Sequence, residues 1–230
     1  MIELTVLMPC LDEAKTLAGC IEKAQQGISA TGLLGEIIIA DNGSTDTSAT
    51  IALEHGARVV HIPHKGYGNA IRGGIAAAQG TYIIMADADG SYDFSALSPF
   101  ISKLKFENFD IVIGNRFLQK NAIACGAMPF WNRYFGTPFI TLLGNTLYGT
   151  ELGDYNGGLR GGTKAAFEKL ELQSSGMELA SEMIVAAAKK NMRITEVPIT
   201  LAKDGRDRKP HLRPIRDGLR HLTLIFKYIF

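Results

Sequence analysis

Cysteine is scarce in this chain. Cys10, Cys20 and Cys125 form no pair at metal-ligand spacing, and an odd count leaves no complete disulfide set. They read as small buried or half-buried thiols of a protein kept reduced. No run of about 18 apolar residues occurs, so no segment spans a bilayer by itself. The N-terminus enters a strand-like run at once, without the basic start and apolar stretch of a signal peptide. Internal repeats, low-complexity tracts and Pro/Gly linkers are missing as well. Net charge is only +1, so the chain as a whole carries no sign of an acidic partner.

What is present is the composition of a folded globular protein: 46% apolar and 20% charged residues. A length of 230 residues suits one large domain, or one domain with an extension. The charge is local. From Lys203 onward there are eight Lys/Arg against three Asp, a segment of +5, and the preceding part is −4. We therefore divide the chain into a domain over 1–201 and a basic segment over 202–230. The sequence stops in the apolar LTLIFKYIF, which reads either as a natural C-terminus or as a chain cut just before a membrane segment.

Short apolar runs alternate with helix-like stretches. Strands are predicted at Glu3–Met8, Glu36–Ala40, Arg58–Ile62, Thr81–Ala86, Asp110–Gly114 and Arg193–Val197. Several are apolar throughout, the pattern of parallel strands buried on both faces. Helices are predicted at Glu13–Ser29, Asp46–His55, Tyr67–Gln79, Ser95–Lys105, Lys164–Leu170 and Leu179–Lys190. This alternation predicts an α/β fold with right-handed crossovers. In open sheets of this kind, ligands sit beyond the carboxyl ends of the strands. Polar, glycine-rich segments follow five of the predicted strands, so chemistry collects at one sheet edge.

The most telling of these segments is Asp87-Ala88-Asp89-Gly90, just after an apolar run. Two carboxylates so close repel each other unless a cation or solvent intervenes. A hard divalent ion, Mg2+ or Mn2+, would take oxygens from both and from the phosphates of a nucleotide, and would stabilise charge on a leaving diphosphate. The plainer alternative is a solvated turn. Asp41, at the end of the second strand, is placed to accept from a base N–H or a ribose hydroxyl, and Glu13 after the first strand can do the same. Glu13 reads equally well as first-turn stabilisation of a helix.

His64-Lys65-Gly66-Tyr67-Gly68-Asn69-Ala70-Ile71-Arg72 resembles a phosphate loop but lacks the Lys-Ser/Thr ending, and Ile71 stands where G-x-G-x-x-G needs its third glycine. An NAD enzyme is therefore disfavoured. Lys65 and Arg72 remain candidates for a base edge and a diphosphate, with a surface salt bridge as the plain reading of Arg72. Arg116, leaving the fifth strand, and Arg133, among aromatics in Pro129–Phe135, are candidates for an anionic acceptor. The apolar stretch Gly136–Tyr148 suits a membrane interface or a core helix equally.

Four early motifs stand in the order and spacing of family-2 glycosyltransferases, which they resemble. They are Pro9-Cys10-Leu11-Asp12-Glu13, Ala40 to Asp46, Asp87-Ala88-Asp89-Gly90 and Gly114-Asn115-Arg116-Phe117. Later pieces resemble the dolichyl/polyprenyl-phosphate sugar transferase branch: Asp154 to Gly161, Gly176 to Met183, Glu196-Val197-Pro198-Ile199 and Arg208 to Arg213. The resemblance covers nearly the whole chain and implies a GT-A fold, a mostly parallel sheet flanked by helices with a Rossmann-like nucleotide-binding half. It implies that Pro9, Leu11, Glu13 and Asp41 line the nucleoside, and that Lys65 and Arg72 hold base or diphosphate. Asp87 and Asp89 would hold the metal, Arg116 and Arg133 the acceptor phosphate, and Asp154 would face the donor sugar.

Two departures stand out. Ser91 replaces the polar residue that often supplies a third metal ligand, and Gly157-Gly158 replaces the usual Cys or Ser-Gly. The Q-x-x-R-W signature of processive synthases is absent, which argues against polymerisation. A phosphate-monoester acceptor needs positioning and charge screening rather than a strong base. A hydroxyl acceptor would need a base, with Asp154 the candidate. The expected activity is metal-dependent, inverting transfer from a nucleotide-sugar, UDP-glucose before GDP-mannose, to polyprenyl or dolichyl phosphate. Basic residues beside an apolar terminus suit an anionic bilayer surface, each worth about 1 kcal/mol there. This places the protein at the cytoplasmic face of a membrane. Nucleic acid is a weaker partner, since no aromatic-basic RNA motif occurs. The rivals are a glycosyltransferase with a hydroxyl acceptor and a membrane-associated module that binds sugar nucleotide without turnover.

Overall fold

The computed structural model describes residues 1–206 and 214–228. Among these described residues, seven strands form one sheet in the order β3-β2-β1-β4-β6-β5-β7. They are β1 (Leu4–Cys10), β2 (Gly35–Asp41), β3 (Arg58–His61), β4 (Tyr82–Met85), β5 (Ile111–Asn115), β6 (Arg160–Thr163) and β7 (Ile194–Pro198). Only β6 runs antiparallel to its neighbours, pairing Met85 with Arg160 on one side and Ile113 with Arg160 on the other. The six predicted strands are present within one or two residues. β6 was missed because Arg160-Gly161-Gly162-Thr163 has almost no β propensity. Its glycines are there for packing: a Cβ on Gly162 would lie 2.8 Å from the Phe167 ring and one on Gly161 3.1 Å from Phe100.

Among the described residues, eight α-helices flank the sheet: α1 (Leu17–Thr31), α2 (Ser48–Glu54), α3 (Tyr67–Ala77), α4 (Ser98–Ile101), α5 (Thr137–Tyr148), α6 (Lys164–Leu170), α7 (Leu179–Lys189) and α8 (Pro214–Lys227). Two sequence readings need correction. The first helix begins four residues later than predicted, because Asp12 takes a left-handed backbone with φ 55° and the chain turns before entering it. The helix predicted over Ser95–Lys105 is one α turn that widens into a π-helical turn at Ser102–Phe106.

Each face of the sheet carries its own core. Val6, Met8, Ile39, Phe94 and Phe100 pack with α1 on one face; Leu7, Ile38, Ile83, Phe167 and Ile184 pack with α3, α6 and α7 on the other. Burying each such side chain contributes about 1.5–3 kcal/mol. α5 is a packing helix on one side, with Ile140 and Gly144 buried, and leaves Phe139 and Leu142 exposed on the other.

The described part of the basic segment is not a free arm. α8 folds back on α5 and α7, burying Asp217, His221, Leu224 and Ile225. Ser181 Oγ lies 2.7 Å from His221 Nδ1, and Arg220 pairs with Glu178 at 2.7 Å. Burial away from water, with the Arg160 charge nearby, pushes the His221 imidazole down to about 4. The stretch Arg208-Lys209-Pro210-His211-Leu212-Arg213 lies outside the described residues. No helix among the described residues is long and apolar enough to cross a membrane.

Candidate active site

The antiparallel strand explains where the site collects. β1–β5 and β7 end at one sheet edge, and β6, running the other way, begins there. The loop before β6, which carries Asp154, therefore arrives beside the ends of β4 and β5.

On the β1–β2 side, two loops lock together. Asp12 Oδ1 accepts Thr45 N–H at 2.6 Å, and the Ser44 hydroxyl accepts Asp12 N–H at 2.9 Å. Asp46 accepts Ala14 N–H, and Ser48 Oγ accepts Glu13 N–H at 2.9 Å. Asp41 accepts Ser44 N–H at 3.0 Å and lies 3.0 Å from His61 Nδ1. Burial works against its charge, but these partners outweigh it and hold the carboxyl below the usual range. Pro9 is buried in the end of β1, opposite Ala40, and Leu11 follows it.

Sequence reasoning assigned Asn42 no role, yet it organises the next loop. Its amide donates to the Ile62 and His64 carbonyls at 3.2 and 2.8 Å, and its Oδ1 accepts Gly66 N–H at 2.6 Å. The signal was there in an Asn at a strand end before Gly. The Gly66 and Gly68 of that loop have a packing purpose. A Cβ on either would sit 2.3 or 2.2 Å from the Ser175 or Ser174 carbonyl oxygen, and Gly66 has φ 136°. Lys65 reaches the Gly43 carbonyl at 3.4 Å, which keeps it with the β2 loop. Arg72 is exposed and donates to Gln173 O at 3.2 Å.

At the end of β4, Asp89 is buried. Its Oδ1 accepts both Ser91 N–H at 2.9 Å and Ser91 Oγ–H at 2.6 Å. Its Oδ2 takes Arg206 Nη2 at 2.7 Å. The Tyr67 hydroxyl lies where it favours the charged form of Asp87. Burial and the neighbouring Asp89 charge push the Asp87 carboxyl up to about 7. The pair is thus short of positive charge, and its hard oxygen donors suit Mg2+ or Mn2+. Among the described residues, no three His, Cys, Asp or Glu side chains are grouped to hold a metal ion alone. Two carboxylates completed by a diphosphate would suffice.

Asp154 and Arg116 come together in one buried pair. Asp154, expected to face a sugar, is fully buried. Its oxygens take Arg116 Nε at 2.7 Å and Nη2 at 2.8 Å, a two-pronged ion pair. Arg116, expected to meet an acceptor phosphate, is buried in this pair. Burial alone would ease its proton off, but Tyr92 and Asp154 outweigh that and raise it. The reason is topological: β5 and the loop before β6 approach from opposite chain directions, so the two side chains meet below the edge. Glu196 of β7 accepts Gly153 and Asp154 N–H, and the Tyr92 hydroxyl accepts Gly158 N–H at 2.9 Å. Arg160, also missed, is buried and holds the same loop through the Tyr155 and Gly157 carbonyls, each at 2.7 Å. The Gly157-Gly158 departure follows from this crowding, since a Cβ on Gly157 would lie 1.9 Å from the Gly114 carbonyl oxygen.

Arg133 lies elsewhere, in a π-helical turn at Asn132–Gly136 leading into α5, with its guanidinium 5.5 Å from the Tyr134 ring centre. Around it Phe130, Trp131, Tyr134, Phe135, Phe139 and Leu142 are all exposed, Trp131 to 70%. The rings of Phe130, Trp131, Tyr134 and Phe135 touch one another, with centres 4.8 Å apart for Phe130 and Tyr134 and 4.9 Å for Trp131 and Phe135.

Comparison with known proteins agrees with this geometry. The family model for glycosyl transferase family 2 matches residues 5–170. The chain belongs to that family, whose members invert the anomeric centre, and it has the GT-A fold. It is 36% identical over 222 residues to the low-salt glycan biosynthesis hexosyltransferase Agl6 of Haloferax volcanii, covering 96% of this chain and 52% of Agl6. It is 33% identical over 217 residues to the glycosyltransferase AglJ of the same organism, covering 93% of this chain and 67% of AglJ. The chain thus spans about half the length of one relative and two thirds of the other. Glucosyl-3-phosphoglycerate synthase from Mycobacterium tuberculosis, solved with Mn2+, UDP and phosphoglyceric acid, superposes with TM-score 0.73 at 18% identity. That match covers 99% of this chain and 78% of the synthase. The same enzyme has been solved with Mg2+ and UDP, with TM-score 0.73, 17% identity and coverage of 99% and 79%.

Proposed function

We propose that this protein moves a hexose from a nucleotide-sugar, UDP-glucose before GDP-mannose, to a polyprenyl or dolichyl phosphate at the cytoplasmic face of a membrane. The observation that carries the acceptor is the exposed aromatic face around Arg133. A small water-soluble acceptor needs no apolar patch of this kind, whereas amphipathic aromatics with a cation among them suit a headgroup region. The name of the Agl6 relative supports the hexose.

In this reading Pro9, Leu11, Glu13 and Asp41 enclose the nucleoside, with Asp41 kept ionised to accept its N–H or hydroxyl groups. Lys65, beside Gly43, and Arg72 stand on the flank for base or diphosphate. Asp87 and Asp89 would hold Mg2+ or Mn2+, which supplies charge stabilisation to the leaving diphosphate. Arg133 guides the acceptor phosphate, whose anionic oxygen attacks in line with the departing nucleotide and inverts the sugar carbon. Arg116 and Asp154 act as a positioning pair beneath the site, fixing the loop that borders the sugar. A hydroxyl acceptor would need a base, and Asp154 is committed to Arg116, which weighs against that alternative.

The test is transfer of label from UDP-glucose to short polyprenyl phosphate in detergent with Mn2+ or Mg2+, followed by lipid extraction. Label in the lipid, abolished by EDTA, is expected. Failure with every hexose donor, while UDP still binds with metal, would overturn the lipid acceptor; tight donor binding with no turnover at all would favour the non-catalytic module.

A further inference from the structure

A short strap crosses the mouth of the metal-binding loop. Leu201 pairs with Ile123 in an isolated parallel bridge, Ala202 N–H donates to Ser91 O at 2.9 Å, and Gly205 N–H donates to Asp89 O at 2.8 Å. Gly205 sits tightly, since a Cβ there would lie 2.8 Å from Thr16 Cγ2. The strap delivers Arg206 among carboxylates. Its Nη2 contacts Asp89 Oδ2 at 2.7 Å and Asp204 at 3.3 Å, and its Nη1 contacts Glu13 Oε1 at 3.2 Å. The side chain is 14% exposed, and its Nε is buried without a hydrogen-bond partner.

Asp89 has two oxygens to offer. Oδ1 already accepts two donors from Ser91, and Oδ2 carries Arg206. A divalent ion ligated by Asp89 would therefore meet Oδ2 with a guanidinium on it, two cations on one oxygen in a poorly hydrated pocket. We propose that Arg206 is a resident counter-cation of this pocket, exchanged for the divalent ion, so that the protein resists metal alone and accepts it together with a nucleoside diphosphate. This rests on the reading of Asp87 and Asp89 as the metal carboxylates. The strap is anchored to the same loop through Asp89 O and Ser91 O, so metal loading and the position of residues 202–206 are linked. Coupling of this kind is reciprocal: the Arg206 contacts weaken metal binding by the same factor by which bound metal weakens those contacts.

The test is Mn2+ binding followed by electron paramagnetic resonance, with and without UDP, in wild type, Arg206→Gln and Lys203→Gln. Lys203→Gln removes the same charge from the same strap at an exposed position. Arg206→Gln should bind Mn2+ alone at least tenfold more tightly than wild type, and UDP should then add less. Lys203→Gln should stay within twofold of wild type. Equal Mn2+ affinity in wild type and Arg206→Gln would overturn the exchange while leaving the metal site standing. An equal gain in Lys203→Gln would overturn it too, by reducing the effect to overall charge. If no protein binds Mn2+ even with UDP, the metal site and the exchange fall together.

Discussion

Two regions of the molecule are built on opposite plans. Around β1, β2 and β4, polar side chains are tied to backbone groups of their own or a neighbouring loop: Asp12 to Thr45, Ser48 to Glu13, Asn42 to Gly66, Asp89 to Ser91. From residue 130 to 142 the exposed groups are aromatic or apolar and mostly touch one another. The first plan pre-positions oxygen donors and acceptors for a polar ligand of fixed shape, where small displacements are costly. The second leaves apolar area in water, which is tolerable only if something apolar covers it in use. Under the proposed function, the first region would be a donor half finished before its ligand arrives, and the second an acceptor half finished by its surroundings.

The largest expected effect lies in the donor half. Asp89→Asn should cut transfer by about a thousandfold or more, the scale of losing a group that stabilises leaving-group charge. Initial rates at saturating donor check it, and EDTA on the wild type should give a similar loss. A fall of less than tenfold would dissolve the contrast between the halves.

Next is the ion pair between them. Arg116→Met leaves Asp154 buried without its cation and should cost about 3–5 kcal/mol in urea unfolding. Adding Asp154→Leu should restore much of that stability. A cost under about 1 kcal/mol would mean the pair is not a structural constraint, and Arg116 would return as a direct phosphate contact.

A smaller effect is expected in the acceptor half. Trp131→Ser with Phe135→Ser should lower sedimentation with anionic lipid vesicles by about tenfold, from apolar area no longer buried. UDP binding by calorimetry should not change. A parallel loss of UDP binding would show that the halves are not separable.

The last prediction is a pH dependence confined to the β4 end. The Asp87 carboxyl is raised to about 7 by burial and by Asp89, so the folded state holds that proton more tightly than the unfolded chain. Its contribution therefore favours folding at low pH and is lost as pH rises from the ordinary carboxylate range through about 7. Buried His221 acts oppositely, since its stabilisation is lost as pH falls below the ordinary histidine range toward about 4. Asp87→Asn should leave thermal stability less steeply falling between pH 5 and 7 than in wild type. An unchanged slope would place the Asp87 carboxylate in ordinary solvent.

The sequence was legible where one physical signal dominated. Apolar runs marked β1, β2, β4 and β5 because strands buried on both faces must be apolar. Acidic residues after such runs placed Asp41, Asp87 and Asp89 at the ends of β2 and β4, where the structure has them. It was not legible where a residue's meaning depended on a distant partner. Arg160-Gly161-Gly162 carries no strand signal, because its glycines answer to Phe100 and Phe167 from other elements. Asp154 and Arg116 each look like ligand-facing charges when read alone, and only the antiparallel entry of β6 brings them together. Arg206 lies more than a hundred residues beyond Asp89, so local spacing gave no hint of the contact.

The most direct measurement offers two acceptors at once: polyprenyl phosphate in mixed micelles and 3-phosphoglycerate in water, with labelled UDP-glucose and Mn2+. The account predicts that most label enters the lipid phase and that Arg133→Ala reduces this transfer. Label accumulating in the water-soluble phosphoglycerate product, with the lipid untouched, would contradict it.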